Sequence, residues 1–61
     1  MRTEHVEWAK QHDWYVDHVR LAQESELLGH DEYAVIVRGD IDEDYMLRFD
    51  SVLSLMSWAG Y

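Results

Sequence analysis

Asp40, Asp42 and Asp44 alternate along the chain in the 1, 3, 5 spacing that opens a calcium loop, where successive carboxylates converge on one cation. The rest of that pattern fails. Tyr45 stands where the loop requires a glycine, and Ser51 stands where a bidentate glutamate closes the coordination. His5, His12, His18 and His30 are the next candidates for chemistry, because imidazole is a common zinc ligand. His5 and His12 could share a helix face with Trp8 between them, but there is no HExxH motif and no histidine pair at i, i+4. The chain has no cysteine, which removes thiolate ligands and disulfides alike. Ser25, Ser51, Ser54 and Ser57 supply hydroxyls without the glycine elbow that exposes a nucleophile. These patterns point away from catalysis and from a bound metal or cofactor.

What remains is the acid itself, and the segment that carries it. Tyr33–Val37 and Tyr45–Phe49 are rich in β-branched and aromatic residues, and between them lie Gly39 and the carboxylates Asp40, Asp42, Glu43 and Asp44. This reads as a β-hairpin over about 33–49 with an acidic tip. Side chains alternate along a strand, so Tyr33, Val35 and Val37 form one face with Tyr45, Leu47 and Phe49 opposite them. Ala34, Ile36, Arg38, Met46 and Arg48 form a mixed second face, either wet or paired with another chain at the strand edge.

The elements around the hairpin follow from periodicity. Trp8, His12, Tyr15, Val19 and Ala22 cluster on a helical wheel with Ala9 and Val16 beside them, which predicts one long helix over about 3–28. Thr3 is its expected cap and Gly29 its stop. A strand over Trp14–Leu21 is the competing reading; its alternating faces, Trp-Val-His-Arg and Tyr-Asp-Val-Leu, are both mixed, which favours the helix. On that helix Val6, Trp14, Leu21 and Leu28 form a second apolar stripe, a candidate contact surface for a partner or a second copy. Asp50 or Ser51 caps a last helix over about 51–59, where Val52, Leu55, Met56 and Ala59 share a face. The expected fold is thus a single small α+β domain over residues 1–61 in the order α-β-β-α. Its expected core is Trp8, Tyr15, Val16, Val19, Val35, Val37, Leu47, Phe49, Val52, Leu55 and Met56.

Composition narrows the function. Thirteen Asp and Glu against five Lys and Arg give a formal charge of −8 in 61 residues. The acid is spread, with seven acids against three bases in residues 1–31 and six against two in residues 32–61. Direct binding to nucleic acid or to an anionic membrane requires clustered cations, which are lacking here. Hydrophobic content of 48% and aromatic content of 13% argue against disorder. No apolar run approaches the ~18 residues of a membrane span, and the expectation is a soluble, cytoplasmic protein. A chain this short buries only ~60% of its unfolded surface, so a partner or a homodimer would add needed burial. The dimer would form through Trp14, Leu21 and Leu28 or through the hairpin edge.

In size and charge the chain resembles the small acidic proteins of phages and mobile elements, anti-restriction and anti-CRISPR proteins among them. The likeness is one of composition over the whole chain and rests on no motif. It implies a non-enzymatic inhibitor that occupies a cationic, nucleic-acid-binding surface of a larger protein. The contact residues would be Asp40, Asp42, Glu43 and Asp44, with Asp13 and Asp17 as further acids. The alternative is a small structural or regulatory adaptor that docks through apolar contacts around Trp14, Trp58 and Tyr61.

Overall fold

A computed structural model describes residues 1–39 and 45–61. The elements run α1 (Thr3–Ala9), β1 (Tyr15–Arg20), α2 (Ala22–Leu28), β2 (Tyr33–Arg38), β3 (Met46–Phe49) and α3 (Val52–Ala59). The three strands form one antiparallel sheet in the order β1-β2-β3. The mixed α+β class is the expected one, but the α-β-β-α order is not. The single helix over 3–28 is two short helices with a strand between them.

The local chemistry explains the break. Tyr15, Val16 and Val19 are residues that lose side-chain freedom in a helix and gain packing in a sheet. β1 also satisfies the second edge of β2, pairing His18 with Val35, Val19 with Ala34 and Arg20 with Tyr33. The faces are mixed in the structure too, with Tyr15, His18 and Arg20 on one side and Asp17 and Val19 on the other, and a bulge further disturbs the alternation. The register shifts between Tyr15 and Asp17, so Val16 is the extra residue, and Tyr15 pairs with Val37 while Asp17 pairs with Ile36. Tyr15 and His18 therefore lie on one face although they are three apart, and no period-2 pattern survives.

β2 and β3 pair as a hairpin would, with Val35 opposite Phe49 and Val37 opposite Leu47. Their inner face meets α1 and α3. Val6, Ala9, Val35, Val37 and Leu55 are buried together, and Trp8, Trp14, Tyr15, Leu47, Phe49, Val52 and Trp58 pack around them. Trp14, expected on the outer stripe, packs against the core, Ala34 of the expected mixed face is fully buried, and two more residues change sides. Val19 is 45% exposed instead of buried, and Val6, assigned to the outer stripe, is 3% exposed. Both follow from the broken helix, since a wheel drawn through residue 19 has no meaning once the helix ends at Ala9.

The helix ends obey simple rules. Gly29 and Gly60 close α2 and α3 in the left-handed conformation, at φ 74 and φ 92. Thr3 is the first helical residue of α1 and not its cap, and His5 Nδ1 accepts from the Arg2 N–H at 3.4 Å. At the start of the chain the Met1 ammonium donates to the carbonyls of Tyr33 at 2.6 Å and Asp50 at 3.1 Å, tying α1 to the end of the sheet.

Candidate functional site

One end of the sheet holds Asp13 and Trp14, two of the residues singled out from sequence. β1 enters there, and the Arg38 N–H donates to the Trp14 carbonyl at 2.8 Å. The chain also leaves β2 at Gly39 and returns to β3 at Tyr45 there, the Gly39 N–H bonding the Tyr45 carbonyl at 2.7 Å. Gly39 is required by this close approach, because a Cβ at that position would collide with the Tyr45 ring. Asp40, Asp42, Glu43 and Asp44, and with them the calcium-like spacing, lie outside the described residues. Asp13, exposed and next to Trp14, belongs to the same end. Asp17 does not. It sits on the outer face of the sheet in one row with Ile36 and Arg48, its carboxylate accepting from the His18 N–H at 2.8 Å.

An aromatic cluster borders this end. The turn after α1 carries His12 back against its own helix, and α3 brings Trp58 and Tyr61 from the far end of the chain. His12 stacks on Trp14 at 4.5 Å and meets Trp8 edge-on at 4.7 Å. Trp8 contacts Trp14 at 5.9 Å and Tyr61 at 5.2 Å, and Trp14 contacts Trp58 at 5.6 Å. Such T-shaped and stacked pairs contribute about 0.5–1.5 kcal/mol each beyond area burial. The hydrogen bonds fix the imidazole. His12 Nδ1 lies 3.0 Å from the Trp8 carbonyl, which can only accept, so Nδ1 carries the proton. In the neutral ring Nε2 then accepts from the Tyr61 hydroxyl at 2.7 Å. Tyr61 itself remains 71% exposed.

The apolar stripe expected on the long helix is not assembled. Trp14 packs against the core, Leu21 is half-buried at the start of α2, and Leu28 is 58% exposed at its end. A spacing of seven aligns side chains only along a continuous helix. Trp14, Trp58 and Tyr61, by contrast, do come together. The parts of this cluster missed from sequence are Trp8 as a surface-facing partner and His12 as the link to Tyr61. No spacing signals a contact between residues 49 positions apart.

The remaining titratable groups serve the fold. Ser25 is buried, donating to the Leu21 carbonyl at 2.7 Å and accepting from the Glu32 N–H at 2.9 Å. Glu32 holds the Met1 ammonium at 3.4 Å and His30 Nε2 at 2.8 Å. Desolvation raises the pKa of its carboxyl, and the ammonium and His30 together outweigh that, holding it below the ordinary value. His18 Nδ1 lies 2.6 Å from the Tyr15 hydroxyl. Among the described residues no three His, Asp or Glu side chains form a group able to hold a metal ion.

The charge that remains is displayed outward. Lys10 pairs with Glu7, Arg20 with Asp31 and Arg48 with Asp50. Glu4, Asp13, Asp17, Glu24 and Glu26 are exposed and make no ion pair among the described residues. No helix among the described residues is long and apolar enough to cross a membrane. No protein-family model matches this chain, and no curated protein or solved structure matches it either.

Proposed function

We propose that the chain is a non-enzymatic acidic binding protein that acts in the cytoplasm by occupying a cationic, nucleic-acid-binding surface of a larger protein. This is the mode of the phage and mobile-element inhibitors that it resembles in size and charge. The observation that carries the reading is the convergence at one sheet end. Asp13 flanks the two points, Gly39 and Tyr45, between which the chain carries Asp40, Asp42, Glu43 and Asp44. A chain of formal charge −8 offers a cationic groove a field comparable to that of a phosphate backbone, with steered association.

Immobilised protein should retain nucleic-acid-binding proteins from a bacterial lysate, and duplex DNA should compete them off. Replacing Asp40, Asp42 and Asp44 by Asn and Glu43 by Gln should slow association about tenfold or more, because rim charges act mainly on encounter rate. Recovery of acidic partners only, or association unchanged by the four substitutions, overturns the reading.

The second reading is an adaptor that docks through the aromatic patch, and it is favoured by the contact of Trp14 with Trp58 beside the exposed Tyr61. Salt separates the two. Acid-driven binding weakens steeply as the Debye length falls from ~10 Å at 0.1 M to ~3 Å at 1 M, whereas apolar docking survives.

A further inference from the structure

Two of the four histidines face a phenol. The Tyr61 hydroxyl lies 2.7 Å from His12 Nε2, and the Tyr15 hydroxyl lies 2.6 Å from His18 Nδ1. Such pairs bear on one-electron chemistry, because a phenol that gives up an electron becomes a strong acid and must shed its proton. Imidazole is the side chain that takes up a proton near neutrality, so a ring nitrogen already in hydrogen-bond contact lets the electron and the proton leave together.

The two pairs are not equivalent. His12 Nδ1 donates to the Trp8 carbonyl at 3.0 Å, which leaves Nε2 of the neutral ring as the basic nitrogen, in contact with the phenol. The surrounding rings differ as well. Tyr61 meets the Trp8 indole at 5.2 Å, Trp8 meets Trp14 at 5.9 Å, and Trp14 meets Trp58 at 5.6 Å. His18 has Tyr33 as its neighbour, at 5.6 Å. Among the described ring contacts Tyr61 is the one tyrosine that touches an indole. His12 also lies on Trp14 at 4.5 Å with 20° between the planes, where an imidazolium is held by cation–π attraction.

We propose that Tyr61 is the site where one-electron oxidation of this protein comes to rest, with the three tryptophans as collector and His12 as proton acceptor. A one-electron oxidant in solution, an inorganic radical, takes an electron from an indole of the group and leaves a radical cation. That hole passes between touching rings to Trp8. Tyr61 then gives one electron to Trp8 while its hydroxyl proton moves to His12 Nε2, so an O–H bond breaks and an N–H bond forms. Electrons flow this way because phenol is oxidised at a lower potential than indole near neutrality. The products are a restored indole, a neutral phenoxyl radical and an imidazolium whose Nδ1–H still binds the Trp8 carbonyl. An indole that has meanwhile released its ring proton to water takes one back from water in the same step. Tyr61 is 71% exposed, so the radical stands at the surface. Two such phenoxyls join through the carbons ortho to oxygen, each ring hydrogen moving to its own oxygen, and each imidazolium returns its proton to water. The product is a pair of chains linked by dityrosine. This chemistry requires neither the acidic end nor the aromatic patch to bind a partner.

Pulse radiolysis in excess azide tests it, because the azidyl radical oxidises indole in preference to phenol at neutral pH. The expected record is an indole-radical band that decays as a phenoxyl band grows, at a rate independent of protein concentration. Tyr61→Phe should abolish that growth, and Tyr15→Phe should leave it unchanged. His12→Phe keeps a ring against Trp14 but removes the acceptor, and should slow the growth about tenfold or more. His12→Asn carries the same expectation where Phe disturbs the packing, and circular dichroism confirms that each variant is folded. Peptide mapping after oxidation should find dityrosine at Tyr61 in preference to Tyr45, which is 54% exposed. Phenoxyl growth that persists in Tyr61→Phe, a wild-type rate in a folded His12 variant, a rate that scales with protein concentration, or dityrosine shared equally between Tyr45 and Tyr61 would each overturn the proposal.

Discussion

The two faces of the sheet are made from neighbouring residues of the same strands and differ in every physical respect. On the inner face Val35 and Val37 have no exposed surface and lie under Leu55, which is itself fully buried. On the outer face the intervening residues are Ile36 and Arg38, and two of the five cations of the chain, Arg38 and Arg48, stand there. The difference shows how a short chain divides its labour. The large buried side chains are committed to one side, and the other side buries Ala34 and half-buries Ile36 among charged residues.

The comparison breaks or holds first on the inner face. Leu55→Ala removes a fully buried side chain between α3 and the sheet and should cost about 2–5 kcal/mol, while Met46→Ala on the outer face should cost under about 0.5 kcal/mol in dilute protein. Urea denaturation of both variants measures the contrast, and equal losses would mean that the outer face is also core.

A smaller effect is expected where the two faces meet, at the end of the hairpin. Gly39→Ala forces a methyl against the Tyr45 ring and should destabilise by about 1–3 kcal/mol. Adding Tyr45→Ala should recover part of that loss. No recovery would move the cause from the ring to the backbone.

The smallest effect lies at the opposite end, on Glu32. Its pKa is depressed in the folded chain, so its contribution is complete above the ordinary value of 4.5 and is lost as pH falls through the depressed one. Between those two points the stability of Glu32→Gln should fall less steeply than that of the wild type. Parallel acid limbs in thermal melts would show that the Met1–Glu32 contact carries no linkage.

These contrasts also separate what the sequence makes legible from what it hides. β2 and β3 are readable as short runs of β-branched and aromatic residues, and α3 by its apolar face, bounded by Gly39, Asp50 and Gly60. The stop at Gly29 is readable for the same chemical reason, a residue without a Cβ at positive φ. β1 is hidden because it is an edge strand with two mixed faces and a bulge in its first half. The bulge at Val16 moves Tyr15 and His18 onto a common face, which imitates the three-residue step of a helix. Three errors in the first half of the chain descend from missing this strand: the continuous helix, the burial of Val19 and the stripe through Val6, Trp14, Leu21 and Leu28. For the candidate site, the acids and the grouping of Trp14, Trp58 and Tyr61 are legible as composition and type. The joining of His12 to Tyr61, and of Asp13 to the end of the hairpin, depends on the third strand and leaves no trace in local spacing.

The aromatic cluster turns the molecule into its own reporter. All three tryptophans of the chain belong to one contiguous group, Trp8 touching Trp14 and Trp14 touching Trp58. Intrinsic fluorescence, ordinarily an average over scattered positions, here arises from a single end of the sheet. Neighbouring indoles at these separations share excitation, so a change at any one ring is read by the whole group. His12 lies stacked on the central indole. An occupant that docks beside Asp13 and Tyr61 therefore announces itself in the emission without a label.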